Sequence, residues 1–582
     1  MNQDNDFTDR EWPPGTVRLA TLLGGNNDNA DIILQPRPTS SPNDPLNWSK
    51  WSKALNYGLS SFYAMMVYAF VNATSPTWGP LAEQLHFSDA TLTNTYAIGC
   101  ATLALGAPML IPFALKFGAR PVYLVSSVGQ FAISIWAAKT ENAADWWGVN
   151  ATQCWLGALA EVLVQMTIAD VFFVHQRGKM NAIYIWVLNV GMYLAIVAAG
   201  FVVGVKHVRP VLSPKTNDPL QTVDQGWRWV WWWFTIFFGL QAIMFFFGFE
   251  ETKYSHVETL ADRQGSITAE TPLDDIAGGY GSEKHEKSRV NESAAKTESG
   301  DVGSPLASQA ATKLGEIHID PTIPRKTYRQ KLAFTTTSPG TWSQFFRHSY
   351  QPFMILVTIP GVTFCALVYG VNQAWSTVMT ASQNTILLDP PYNFSASDIG
   401  LMSLGPFIGS TIGSLVSGPV SDYVAIRLAK ANDGVYEPEF RFWVFLPFCP
   451  FMLGGAWWFG YALQNGWHWA QVVVAFGMFG FGAAPVQAIS LTYMLDAYNE
   501  IIGDTLTAVT TVRNTLSTIF VFALAPWLAS VGVGNVFNIM GAVGTLILSF
   551  AAVFIWRGKA FRVRTAKTYR YYASRQFEAR KM

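Results

Sequence analysis

Three ionisable side chains other than tyrosine and cysteine interrupt stretches of this sequence that are otherwise apolar: Glu161, Asp170 and Arg513. A charge at the centre of a bilayer costs about 2.5–3.5 kcal/mol on insertion scales, so each must face a cavity or a partner. Glu161 lies well inside its stretch. It reads either as a titrating or cation-binding carboxylate, the group a proton-coupled site requires, or as a permanent hydrogen-bonded link to a neighbouring helix. Asp170 follows nine residues later, about 13 Å along a helix axis at about 1.5 Å per residue. Nine steps of about 100° turn it to the opposite face. Standing just before His175 and Arg177, it reads as a structural ion pair or cap. Arg513, beside Asn514, either binds an anionic group or snorkels to pair with Asp496 or Glu500.

Neutral polar residues punctuate the same apolar stretches. Gln165, Asn189, Asn372, Gln373 and Gln487 each suffice to glue two helices, and together they outline a polar substrate cavity between two halves. Gly477, Gly480, Gly482 and Pro485 thin one stretch, as a moving helix requires. Enzyme chemistry is absent from the pattern. The 8 histidines fall outside the apolar stretches, and there is no HExxH, nucleophile elbow or complete phosphate loop. The 4 cysteines lie in apolar runs without CxxC or Cys/His spacing and read as reduced, buried thiols, so neither a metal nor a cofactor is expected.

These residues need apolar helices to position them. Of 582 residues, 50% are hydrophobic and 13% charged, against about 25% charged in soluble domains. Net charge is +0, which gives no electrostatic footprint for nucleic acid. A bilayer core about 30 Å thick takes roughly 20 apolar residues of helix. Such runs fall near 55–75, 93–115, 121–139, 153–174, 181–204, 229–249, 352–374, 399–417, 442–463, 470–494, 506–527 and 534–556. The expected fold is therefore all-α and integral to a membrane, with twelve transmembrane helices in two six-helix pseudo-symmetric halves. The expected divisions are a cytosolic disordered N-terminal segment (1–54), an N-terminal half (55–253), a cytosolic disordered linker (254–351), a C-terminal half (352–556) and a basic cytosolic tail (557–582). The linker composition is too polar to fold alone, and its Ser/Thr content allows phosphorylation. Basic residues at the tail and after the second and fourth runs place both termini in the cytosol; the loop 205–228, with Lys206, Arg209 and Lys215, runs against this bias. Residues 1–46 hold no signal peptide. Asn393-Phe394-Ser395 is a sequon on the expected outer loop, which makes Asn393 a glycosylation candidate.

Two loops resemble each other. One reads Ile111-Pro112-Phe113-Ala114-Leu115-Lys116-Phe117-Gly118-Ala119-Arg120-Pro121; the other starts Gly418-Pro419-Val420-Ser421-Asp422-Tyr423 and reaches Arg427. Both resemble the loop signature of the major facilitator superfamily, as does the six-plus-six organisation. Further runs resemble its fungal twelve-span drug:proton antiporter branch: Asn43-Asp44-Pro45-Leu46-Asn47-Trp48-Ser49, Ala169-Asp170-Val171-Phe172-Phe173-Val174-His175-Gln176-Arg177-Gly178, Gly226-Trp227-Arg228-Trp229, Glu250-Glu251-Thr252-Lys253-Tyr254, Tyr436-Glu437-Pro438-Glu439 with Arg441, and Val512-Arg513-Asn514. The resemblance implies alternating access of two halves about a central site and efflux coupled to proton entry. It assigns Lys116, Gly118, Arg120, Gly418, Asp422 and Arg427 to the gating loops, with Asp422 capping and charge-pairing in the cytosolic gate. Glu161 falls where many members carry a glutamate in the fourth span.

The sequence departs from that pattern at three places. Leu115 occupies the acidic position of the first loop, and Ala119 one of its arginine positions. Asn150 occupies the position of the fourth-span arginine. The antiporter signature reads Gly191-Met192-Tyr193-Leu194-Ala195-Ile196, without its proline. The expected function is proton-coupled export of a small amphipathic organic compound (drug, toxin or secondary metabolite) by a monomer in the lipid bilayer. The alternatives are an importer or facilitator of a polyamine-like organic cation, which Glu161 would bind, and a non-transporting membrane sensor.

Overall fold

The computed structural model describes residues 12–18, 36, 38–204, 226–254, 320, 323–338, 340–387 and 390–577. Lys206, Arg209 and Lys215, and most of the segment 254–351, lie outside the described residues.

The six long helices of the first half are α1 (Lys50–Asn72), α2 (Asp89–Phe117), α3 (Ala119–Ala138), α4 (Ala143–Val171), α5 (Val174–Val203) and α6 (Gly226–Gly248). After them come α7 (Trp342–Thr358), α8 (Pro360–Ile386), α9 (Leu404–Ala431), α10 (Pro438–Gln464), α11 (Trp469–Ala497), α12 (Ile502–Val531) and α13 (Val533–Ala573). Among the described residues, 10 continuous helices are long and apolar enough to cross a membrane, and α7 with α8 brings the number up to 11. The remaining one, α1, has the length for a span at 23 residues but carries Asn56, Ser60, Ser61 and three tyrosines on its buried side. Its polarity is spent on packing against the rest of the first half, not on water. The exposed surface of the bundle is apolar, as at Leu105, Val125, Phe201, Leu240 and Leu415, and faces lipid.

The halves are α1–α6 and α8–α13. They meet where α2 lies along α12 and where α5 lies along α9 and α11. Gly477 and Gly480 of α11 let it approach α9 closely at Gly405 and Pro406, so these glycines thin the contact while α11 itself runs as one helix through Pro485.

The structure revises three sequence boundaries. The seventh span begins at Pro360, not at 352. Residues 342–358 form a separate helix, bent by 98° from α8. The physical cause is Pro360. It donates no N–H and forces Ile359 into extended backbone (φ −116, ψ 100), which ends α7 one residue earlier. Ordered backbone also enters the expected linker, since α7 starts at Trp342. At the other end α13 continues unbroken to Ala573, and Arg562, expected on a free basic tail, is fully buried. In the N-terminal segment, strand β1 (Val17–Arg18) pairs antiparallel with β2 (Val435–Tyr436) in the loop between α9 and α10. The two chain ends therefore meet on one face of the bundle, called the terminal face below.

Candidate functional site

At the middle of the bundle Glu161 lies on α4 one turn after Ala158, where the helix is locally irregular but keeps helical backbone angles (φ −56, ψ −25). Its carboxylate is fully engaged. Oε1 accepts a hydrogen bond from the Tyr68 hydroxyl at 2.6 Å and lies 3.0 Å from Arg513 Nη1; Oε2 accepts from Asn514 Nδ2 at 3.1 Å. The Arg513 guanidinium lies over the Tyr68 and Tyr369 rings, 5.5 and 5.1 Å from their centroids. Both charged side chains are sealed from solvent (3% and 2% exposed). The partner of Arg513 is thus Glu161, not Asp496 or Glu500. Because α4 belongs to one half and α12 to the other, the ion pair ties the halves together in a medium of low dielectric. Gln165, one turn further along α4, is buried with neither amide atom partnered among the described residues.

A small cavity of about 20 Å³ lies between α5 of the first half and α8, α9 and α11 of the second. Four of the five amides singled out in the sequence line it: Asn189, Asn372, Gln373 and Gln487. Asn372 Nδ2 donates to the Ala483 carbonyl at 2.8 Å, and Tyr193 bridges the halves through Ser376 at 3.3 Å. Gln165 stands apart from this cavity. The lining of amides and hydroxyls, with Phe479 as an aromatic wall, offers donors and acceptors but, among the described residues, no charge. The wall on the α5 side is a π turn, Val190–Leu194, in the stretch that lacks the expected proline. A π turn widens the helix and re-aims the side chains on it.

The terminal face is closed by a second charged cluster. Asp422 on α9 accepts hydrogen bonds from the backbone N–H groups of Gly178 (3.1 Å) and Lys179 (2.8 Å) at the start of α5, and from Arg441 Nη1 (2.9 Å). Arg441 also donates from Nε to Asp496 Oδ2 (2.8 Å), and Arg177 lies 3.5 Å from Asp496 Oδ1 while donating to the Leu495 carbonyl (3.1 Å). Gly418 permits this approach. A methyl group there would stand 2.7 Å from Ala182 Cβ of the opposite half.

Two pseudo-symmetric six-helix halves, a buried central cavity between them and a charged closure on one face form a transporter architecture. A family model described as Major Facilitator Superfamily matches residues 59–521. The chain belongs to the Major Facilitator Superfamily. It is 27% identical over 547 residues to an uncharacterized MFS-type transporter of Schizosaccharomyces pombe, covering 93% of this chain and 90% of the relative. It is 26% identical over 602 residues to Protein HOL1 of Saccharomyces cerevisiae, covering 97% and 98%. It is also 24% identical to MFS transporter cpaT of Aspergillus oryzae, covering 90% of each chain. Among solved structures it is similar in fold to the proton:xylose symporter XylE bound to 6-bromo-6-deoxy-D-glucose, with a TM-score of 0.55 at 14% identity, covering 87% of this chain and 97% of that one.

As a superfamily transporter the chain is asymmetric in its gating loops. The second loop keeps Asp422, but the basic residue that meets it is Arg441, whereas Arg427 is exposed on α9. Sequence spacing favours Arg427 because it lies on the same helix; Arg441 reaches the site only through the turn into α10. In the first loop, Leu115 at the acidic position packs near Gly503 of α12. Gly118 takes φ +96, and Glu251 caps the start of α3 by accepting from Ala119 N (3.1 Å) and Arg120 N (3.0 Å). Arg120 is held by the Phe246, Leu332 and Ala333 carbonyls, and Lys116 lies 3.9 Å from the Trp342 ring centroid of α7. Asn150 is buried and bonds to the Trp146 carbonyl of its own helix at 2.8 Å. Asp170 is half-buried and lines a cavity on the terminal face with Leu115 and Gly503, while Asn393 is exposed on the opposite side. Tyr68, Asn514 as a carboxylate partner, and Arg441 as the gate arginine are contributions that sequence reasoning missed. Tyr68 and Asn514 come from helices remote in sequence from Glu161, Arg441 comes from beyond the turn that follows Asp422, and no local spacing signals them.

Proposed function

We propose that this transporter exports a small amphipathic organic compound, such as a drug, toxin or secondary metabolite, in exchange for protons, with the terminal face in the cytosol. The observation that carries the reading is Glu161 bound to Arg513 across the two halves. A proton taken up by the Glu161 carboxylate cancels the charge that Arg513 needs, so the link between α4 and α12 weakens and the halves are freed to rock about the cavity. Release of the proton restores the pair and returns the halves. The chain thereby moves one proton inward for each return of the empty site, while the amide-lined cavity carries the compound outward. The placement of the basic tail and of the Arg177 and Arg120 loops on the terminal face supports its cytosolic assignment. The absence of a carboxylate from the cavity lining among the described residues, and the engagement of Glu161 by two hydrogen-bond donors and the Arg513 ion pair, argue against an organic cation as the bound species.

The test is gradient-driven flux in proteoliposomes, wild type beside Glu161→Gln, over a panel of neutral and cationic solutes. An imposed pH gradient is expected to drive uphill flux in the wild type only, with equilibrative exchange surviving in the variant. Flux indifferent to the gradient in the wild type refutes coupling, uptake of cations refutes the export reading, and no flux for any solute leaves the chain as a non-transporting member of its family.

A further inference from the structure

We propose that residues 12–18 are a strap that holds the cytosolic gate shut, a regulatory element distinct from the gating loops themselves. The inference rests on alternating access and on the cytosolic assignment of the terminal face, not on proton coupling.

Three independent features bind the strap. The first is the pairing of Val17 and Arg18 with Tyr436 and Val435. The second is a buried polar hub at Arg562 of α13. Its Nη1 donates to the Pro14 carbonyl (2.5 Å) and to Thr16 Oγ1 (2.9 Å), while Nη2 and Nε bind Glu437 (2.5 Å) and Glu439 (2.7 and 2.8 Å). Thr16 Oγ1 in turn donates to Glu437 Oε2 at 2.7 Å. Two carboxylates around one arginine leave a local excess of negative charge, offset by Lys559 at 2.7 Å from Glu437. The third is Gly15, with φ +82, whose backbone rides directly on the end of α11; a side chain there would meet Ala497 Cα at 2.6 Å and the Asp496 carbonyl at 2.8 Å. Only glycine fits both the conformation and the gap.

The strap lies over the gate, not beside it. Asp496, beneath Gly15, is the carboxylate that Arg441 and Arg177 share. Val17 packs on a small apolar cluster of Val174, Ala425, Ala429 and Tyr436, with Phe440 alongside. Val174 belongs to the first half and the other four to the second, so Val17 covers the seam where the halves must part. By excluding water, the strap keeps the Arg177–Asp496–Arg441–Asp422 chain in low dielectric, where those attractions are strongest. Opening toward the cytosol separates Val174 and Arg177 from Tyr436 and Asp496. It therefore requires the strap to lose its seam contacts.

The test reads gate opening without a substrate. Met166→Cys places a reporter in the cavity between α4 and α12 on the cytosolic side, where Met166 is 6% exposed; the 4 native cysteines, buried or half-buried, supply the background. Its alkylation by a membrane-impermeant maleimide is followed in inside-out vesicles. Two variants remove the strap: Gly15→Val, which displaces it by collision, and deletion of residues 2–18, which removes no residue of a spanning helix. Asp422→Ala, which breaks the gate itself, calibrates the reporter. Both strap variants are expected to raise the labelling rate about fivefold, the population shift that follows from losing one buried hydrogen-bonded contact set. If Asp422→Ala raises labelling and the strap variants do not, the strap is inert and the proposal fails while alternating access stands. If none of the three raises labelling, the gate reading and the strap fall together. Should Gly15→Val not yield monodisperse protein, the deletion decides.

Discussion

The pair Glu161–Arg513 makes a quantitative demand on a double-mutant cycle. Each side chain is sealed, the charged atoms stand 3.0 Å apart, and Tyr68 and Asn514 complete the carboxylate. Removing one partner leaves an unpaired charge where no water reaches, which costs about 3–5 kcal/mol for buried pairs. Glu161→Gln strands the guanidinium, relieved in part by the Tyr68 and Tyr369 rings, so it falls at the lower end of that range. Arg513→Gln strands the carboxylate with two hydrogen bonds remaining and falls at the upper end. The double variant places two neutral amides that can bond each other, so its loss is smaller than either extreme sum and the coupling energy is about 2–4 kcal/mol. The assay is the apparent unfolding free energy of purified protein in lipid nanodiscs for all four species, with gradient-driven flux measured alongside. Stability is expected to return in the double variant while gradient-driven flux does not. Additivity within about 0.5 kcal/mol refutes a direct pair; gradient-driven flux in the stable double variant refutes the role of Glu161 in coupling.

Gln373 is half-buried in the cavity and, among the described residues, its amide bonds only to Thr377 one turn away (3.4 Å), so Gln373→Ala is expected to raise the KM of a transported solute about tenfold while changing stability by less than about 0.5 kcal/mol; a loss of stability without a KM change shows the residue to be packing alone. Asn393 is exposed in the loop before α9, and expression in a glycosylating host should add mass that Asn393→Gln removes; an unchanged gel shift in the variant counts against an outer placement of that loop. Glu437 ties the pH dependence of the strap. Burial pushes its carboxyl up, but Arg562, Lys559 and Thr16 outweigh burial and hold it below its ordinary value of 4.5. A lowered value in the fold contributes stability that is present above 4.5 and is lost as pH falls through the lowered value. Hydrogen-exchange protection of residues 12–18, corrected for intrinsic rates, should therefore hold from neutrality to 4.5 and collapse only below it; loss of protection on the neutral side of 4.5 contradicts that anchoring.

Twelve apolar runs, the two halves and the transport class were legible in the sequence. The cost of placing polar groups in lipid is local, large and indifferent to context, and the same cost marked Glu161, Arg513 and the amides Asn189, Asn372, Gln373 and Gln487 as residues that must face something other than lipid. The sequence could not say what they face. Glu161 and Arg513 sit on α4 and α12, and only the packing of one half on the other brings them within 3.0 Å. For the same reason Gln165, equally polar, falls outside the cavity, and Arg441 displaces Arg427 as the partner of Asp422. The amphipathic α7 and the docked residues 12–18 were hidden for a different reason. Both lie in segments too polar or too short to fold alone, and their order comes from surfaces built by the spans: α2 and α12 for α7, and Arg562, Tyr436 and the end of α11 for the strap. Composition determines which groups cannot be left in lipid. Pairing them is a property of distances across the assembled bundle, where a low dielectric makes each wrong partner expensive and each right one decisive.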